Sequence, residues 1–368
     1  MKIERVTLYH LSMPLRSPFE TSFGRSETRD CILLEVFAEG LTGYGECVAD
    51  RDPGYSYETI KTAWHVLCDF LIPIVLHQQI ASPADFQMQT ASVRGHRMAK
   101  AGLEMAIWDI EGKLEGKSLR DLLGGTRDQV NVGVSVGIQE SPQALVKVVE
   151  DYLSQGYGRI KIKIKPGRDV AEAEAVRHTF PGIQLQVDAN SAYSLSSAAS
   201  LQPLDSLKLL LIEQPLDEDD LWDHHYLQAQ FTTPICLDES IHTARHARQA
   251  LEMGACRVIN IKAGRVGGLS EALAIHNLCW FQNIPVWCGG MLETGVGRAS
   301  NLALASLPGF TLPGDISATD RYYLEDITES RFSLNPGSTI TVPSLPGLGV
   351  TIDRQALQRF TKAQLSLS

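Results

Sequence analysis

Five charged residues stand at the ends of strand-like segments, one repeat unit apart. They are Lys163, Asp188, Glu213, Asp238 and Lys262, at successive spacings of 25, 25, 25 and 24 residues. If those strands lie parallel in a barrel, their C-terminal ends share one face, where barrel active sites are built. Three carboxylates then meet on neighbouring strands with an amine on either side. Adjacent carboxylates in a semi-buried cup repel one another unless a cation joins them. Hard oxygen donors in that number suit Mg²⁺, with Mn²⁺ or another divalent cation as alternatives.

Each residue taken singly has a plainer reading. Lys161 and Lys163 fall in KIKIK, where alternation alone describes a half-exposed strand. Asp188 and Asp238 could cap the helices that follow them. Glu213 is harder to set aside, because it ends the apolar run LKLLLI, and Lys262 ends the equally apolar VINI. The regular spacing of all five outweighs the separate readings. His242 and His246 have the i, i+4 spacing of a helical metal pair but lack a third ligand nearby, and read as surface, as do His224 and His225. Gly264–Gly268 (GRVGG) could cradle a phosphate, yet matches neither glycine-rich nucleotide motif.

The elements that must position these residues fall into two patterns. Over residues 1–125, strands at Lys2–His10, Cys31–Ala38 and Gly43–Val48 precede helices at Tyr57–Leu76 and Ala99–Glu115. A short turn at Glu39–Gly40 joins the second and third strands. In the second helix Leu103, Ile107, Ile110 and Leu114 share one face. This order indicates an α+β module. Over 126–324, strands at Val130–Val136, Arg159–Ile164, Gln184–Val187, Leu207–Ile212, Ile235–Leu237, Val258–Ile261 and Ile284–Trp287 alternate with helices. Among these helices are Val170–Phe180, capped by Asp169, and Ala244–Met253, ended by Gly254. The economical closure is an α/β fold, a modified (β/α) TIM-type barrel. Residues 325–368 lose the repeat and read as a return to the first module, so both chain ends form the cap.

Composition excludes several classes. The chain has 368 residues, 44% hydrophobic and 21% charged, with a net charge of −10 and no basic block. Nucleic acid and anionic membranes are therefore not expected as partners. The start lacks a signal peptide's apolar core, and no uninterrupted run of about 18 apolar residues occurs. Seven scattered cysteines, never spaced C-x-x-C, suggest buried free thiols in a reducing cytoplasm.

KIKIKPG, QVDAN, LIEQPL, CLDES and INIKAGRVGG, in this order and spacing, resemble the muconate-lactonizing-enzyme subgroup of the enolase superfamily. More narrowly, GVSVGI, GGMLETGVGRA, PGDISATDRYY, PFETSFG and GYGECV are similar to segments of the o-succinylbenzoate synthase and N-succinylamino acid racemase family. The resemblance implies metal ligation by Asp188, Glu213 and Asp238, with Lys163 and Lys262 as acid/base pair and Lys161 holding the substrate carboxylate or tuning Lys163. It implies supporting roles for Asn190 and Glu239. It also implies substrate contacts from Ser135, Asn190, Gly290, Met291, Leu292, Phe19 and Tyr55, and loops around Phe19–Phe23 and Asp50–Tyr55 that close over the substrate. Asp50 departs from the apolar residue expected there in many relatives.

The activity so implied is metal-dependent dehydration of a cyclohexadiene carboxylate to o-succinylbenzoate through an enediolate, in menaquinone synthesis. The alternative is racemisation of N-succinylamino acids, with both activities in one site. A lysine general base needs a pKa brought down towards about 7–8, and Lys161, Arg265 and the metal would be the positive perturbers. A small carboxylate substrate, a homo-oligomer and a cytoplasmic location are expected. A Schiff-base aldolase would not need three carboxylates, and a binding-only barrel would show no metal dependence.

Overall fold

The computed structural model describes residues 1–368. An antiparallel sheet is built from β1 (Ile3–Thr21), β2 (Gly24–Ala38) and β3 (Leu41–Cys47). The turn between β2 and β3 is Glu39–Gly40, as expected, with φ of 53° and 75°. Positive φ at both central positions is the two-residue hairpin geometry that matches strand twist, and Gly40 adopts it without a Cβ penalty. β1 and β2 run well beyond Lys2–His10 and Cys31–Ala38, as a hairpin whose tip pairs Thr21 with Gly24. Pro14, Pro18 and polar residues disguise the extension, and the register shifts between Pro14 and Phe19.

Two helices cover this sheet. Ile60–His77 starts with a Thr59–Thr62 capping box and passes through a π-turn at Leu67–Leu71. It is long and apolar enough to cross a membrane, and its Ala63, Leu67, Leu71 and Val75 are buried in the capping core. Arg97–Glu115 ends at Gly116 in the left-handed region. Leu103, Ile107 and Ile110 face the core as expected, but Leu114 is 49% exposed, lying in the helix's last turn before Gly116.

The barrel follows. β4 (Gln129–Asn131) and β5 (Val134–Val136) replace the single expected strand Val130–Val136, since Gly133 must pass against the Arg159 guanidinium. β6 (Arg159–Lys163), β7 (Gln184–Asp188), β8 (Ile212–Glu213), β9 (Ile235–Leu237), β10 (Val258–Ile261) and β11 (Val286–Cys288) continue from β5 as seven neighbouring parallel strands. The expected strand Leu207–Ile212 shrinks to two residues, because a 3₁₀ turn reaches Leu207 and Lys208 is left-handed.

The extended segment from Phe310 to Asp315 fills the eighth position. On one side Asp315 N donates to Cys288 O (2.9 Å); on the other, Gly314 N donates to Asn131 O (3.0 Å) and Gly133 N to Gly314 O (2.8 Å). Asp169 caps Val170–Thr179, and Gly254 ends Ala244–Met253.

After β12 (Thr339–Thr341), which pairs with β4, the chain returns to the first sheet. β13 (Thr361–Leu367) lies antiparallel to β1. The architecture is an α/β TIM-type barrel capped by an α+β layer drawn from both chain ends. All seven cysteines are free, six of them buried.

Candidate active site

Strand register brings the charged residues together. Lys163 pairs with Asp188, Asp188 with Glu213, and Glu213 with Cys236, so Asp238 follows two positions on. The side chains of Asp188, Glu213 and Asp238 are fully buried. Lys163 Nζ donates to Asp188 Oδ2 (2.6 Å) and Asn190 Oδ1 (2.7 Å), and Asn190 Nδ2 donates to Glu239 Oε1 (2.8 Å). Lys161 Nζ lies between Asp188 (3.0 Å), Glu213 (2.9 Å) and Asp315 (2.6 Å). Lys262 Nζ donates to Asp238 Oδ2 (2.7 Å) and to the Tyr55 hydroxyl (3.0 Å), which donates to Asp238 Oδ1 (3.1 Å). Asn260 Nδ2 holds the far oxygen of Glu213 (2.9 Å). The three carboxylates thus face the chain's own cations rather than forming a ready cage of ligands.

The electrostatics follow from burial and close pairing. Burial would raise Asp188, but Lys163 and Lys161 outweigh it and hold the carboxyl well below its usual range. Burial, with the charge of Asp188, raises Glu213. Burial and Asp188 push Glu239 to about 7. Burial draws Lys161 down, yet Asp315, Glu213 and Asp188 more than restore it. Lys262 is likewise desolvated, yet Tyr55, Glu213 and Glu239 hold it above the ordinary lysine value. Arg265, expected to act on Lys262, has its guanidinium against Asp238 and the Tyr55 hydroxyl.

Above this floor lies a cavity of about 540 Å³. Lys161, Lys163 and Lys262 reach it from the barrel with Ser135 and Asn190. Gly290, Met291 and Leu292 contribute the loop after β11. Phe19 comes from the β1–β2 hairpin, edge-to-face with Tyr322, and Tyr55 from the loop after β3. Every residue expected to touch substrate lines this space, and the three carboxylates lie beneath it.

Sequence reasoning missed Asp315, Asn260, Arg29 and Tyr322. Asp315, Asn260 and Tyr322 fall within segments that carry the family resemblance, but their meeting at this site is a tertiary fact. Buried Arg29 pairs with Asp50 (2.9 Å) in the cavity wall, and nothing in the β2 sequence marks it.

The histidines and the glycine-rich segment depart in part from expectation. His224 is buried, not superficial, with Leu216 N donating to its Nε2 (3.2 Å). His242 precedes its helix and packs on Tyr57, where burial lowers it to about 4. At Gly264–Gly268 the anion is internal: the Glu104 carboxylate sits at the N-terminus of the Leu269–Phe281 helix, where a Cβ on Gly268 would strike it at 1.7 Å.

Comparison with known proteins agrees with this geometry. Residues 3–124 match the mandelate racemase / muconate lactonizing enzyme N-terminal domain, and residues 144–356 match the enolase C-terminal domain-like family. An o-succinylbenzoate synthase of Geobacillus kaustophilus is 50% identical over 98% of this chain and 96% of its own. An N-succinylamino acid racemase of Amycolatopsis sp. is 49% identical, over 99% of both chains. A solved enolase-superfamily structure from Listeria innocua superposes with a TM-score of 0.96 at 42% identity, covering 100% of this chain and 99% of that one. The chain belongs to the enolase superfamily, in the muconate-lactonizing-enzyme branch that holds the o-succinylbenzoate synthases and N-succinylamino acid racemases.

Proposed function

We propose that this chain is a divalent-metal-dependent o-succinylbenzoate synthase that also racemises N-succinylamino acids in the same site. The observation that carries this reading is the placement of Lys163 and Lys262. Both ammonium groups line one cavity, each bonded to an outer member of the carboxylate trio. Relatives of near-equal identity bear the two names, which supports both activities.

The donor set fits a hard cation. Asp188, Glu213 and Asp238 offer only oxygen, and the burial and the Asp188 charge that together raise Glu213 are what a bound divalent ion would offset. Glu239 Oε2 is also buried without a hydrogen-bond partner. Mg²⁺ is the proposed ion, and when bound it would stabilise negative charge developing on the substrate carboxylate.

The side chains supply the proton chemistry. Lys163, oriented by Asn190, acts in its free-amine form and takes the α-proton to become the ammonium. Lys161, anchored by Asp315, presents its charge to the substrate carboxylate. In dehydration Lys163 returns the proton to the departing hydroxyl, and Lys262 remains a cation that steadies the enediolate. In racemisation Lys262 delivers a proton to the other face.

The test is proton NMR in D₂O with Mg²⁺ on the synthase substrate and on N-succinylamino acids. Lys163→Ala should cost both reactions roughly 10²-fold or more. Lys262→Ala should abolish racemisation and slow dehydration less, because dehydration loses a stabilising charge but keeps its base. Activity untouched by a chelator, with substrate trapped by borohydride, would instead favour Schiff-base chemistry.

A further inference from the structure

The cavity wall contains an acidic group that the proton chemistry does not use. Asp50 follows β3, and its side chain is 40% exposed in the cavity lining. Its backbone is pinned, because Ile60 N donates to Asp50 O (2.8 Å) beside a bridge to Thr59. Its carboxylate is pinned as well. Oδ2 pairs with Arg29 Nη1 (2.9 Å), and Oδ1 accepts from the Arg51 amide (2.7 Å). Arg29 is itself 2% exposed and anchored on Val48 O, so Asp50 cannot swing out of the wall.

Each carboxylate oxygen accepts about two hydrogen bonds, which leaves capacity directed at whatever fills the cavity. In the racemase reading, the substrate's α-carboxylate and α-carbon must sit at the lysine-lined floor. Two arms then extend away from it, the succinyl tail and the amino-acid side chain. The tail ends in a carboxylate, which only accepts hydrogen bonds and so offers the Asp50 oxygens nothing. An apolar side chain would strip water from the Asp50 oxygens and return nothing, whereas a donor side chain replaces that water.

We propose that Asp50 is a specificity-determining residue that selects N-acylamino acids whose side chain donates a hydrogen bond over apolar isosteres. This assignment rests on the racemase reading. Its test is α-proton exchange in D₂O with Mg²⁺ for the isosteric pairs N-succinylthreonine and N-succinylvaline, and N-succinylasparagine and N-succinylleucine. Each rate is divided by that of N-succinylglycine, which has no side chain to reach the wall, so a general loss of activity in a variant cancels.

The native protein should favour the donor member of each pair by roughly tenfold or more. Asp50→Leu should erase or invert the ratio. Asp50→Asn keeps the shape beside Arg29 and should lower the ratio part of the way, which decides the matter if the leucine variant fails to fold. Native ratios near one, or ratios unchanged in a folded variant, overturn the assignment alone. Absence of exchange even at N-succinylglycine overturns the racemase reading and this assignment with it.

Discussion

Among the residues of the floor, Asp315 stands between two buried cations. Its Oδ2 holds Lys161 at 2.6 Å and its Oδ1 lies 2.6 Å from Arg159. Those two cations, despite burial, hold its carboxyl well below the ordinary range. Removing one member of a buried pair leaves the other charge uncompensated, at a cost of about 3–5 kcal/mol. Asp315→Asn should therefore lower stability by that order in urea unfolding. It should also lower kcat/KM for α-proton exchange on the order of a hundredfold, because Lys161 would drift from the substrate carboxylate. A stability loss with unaltered kcat/KM would restrict Asp315 to holding the fold. Lys163, Asp188, Glu213, Asp238 and Lys262 could be picked out from spacing alone, since each ends a strand of the same repeat. Asp315 could not, because its segment follows no such repeat.

Backbone meets backbone where β3 lies on the Arg97–Glu115 helix. A Cβ at Gly45 would stand 1.9 Å from Gly102 O and 2.8 Å from Ala106 N, both backbone atoms that no side-chain rotation can move. Gly45→Ala should thus cost at least the usual overpacking penalty of about 1–3 kcal/mol. A fall in melting temperature checks this, and an unchanged melting temperature would mean the helix can retreat at little cost. The strand bearing Gly45 and the helix were both legible from alternation and helical periodicity. Their contact was not, since a glycine in a strand pattern gives no sign of what approaches it.

At the scale of the whole molecule, Glu104 joins the cap to the barrel. It belongs to the helix on the antiparallel sheet, yet its carboxylate accepts from Gln87 Nε2 (3.0 Å) and from Ser270 N (3.4 Å) at the start of a barrel helix. Burial raises it from 4.5 to about 7, against the opposing pull of those hydrogen bonds. The folded state therefore favours the protonated form. Its stabilising share is whole below about 4.5 and is lost as pH rises through about 7. Glu104→Gln should shrink the stability difference between pH 4.5 and pH 8 by roughly 3 kcal/mol. Urea midpoints across that range measure it, and an identical slope in the variant would contradict the assignment.

The amino-acid order alone determined the alternating strands and helices, the Glu39–Gly40 turn and the regular march of charged strand ends. These follow from local periodicity and from the fact that consecutive parallel units repeat the same geometry. The tertiary structure alone decided the closing segment from Phe310 to Asp315, the Arg29–Asp50 pair and the seat of Glu104. Each joins parts of the chain whose meeting leaves no periodic trace, because burial and charge pairing between distant segments depend on three-dimensional proximity and not on spacing along the backbone.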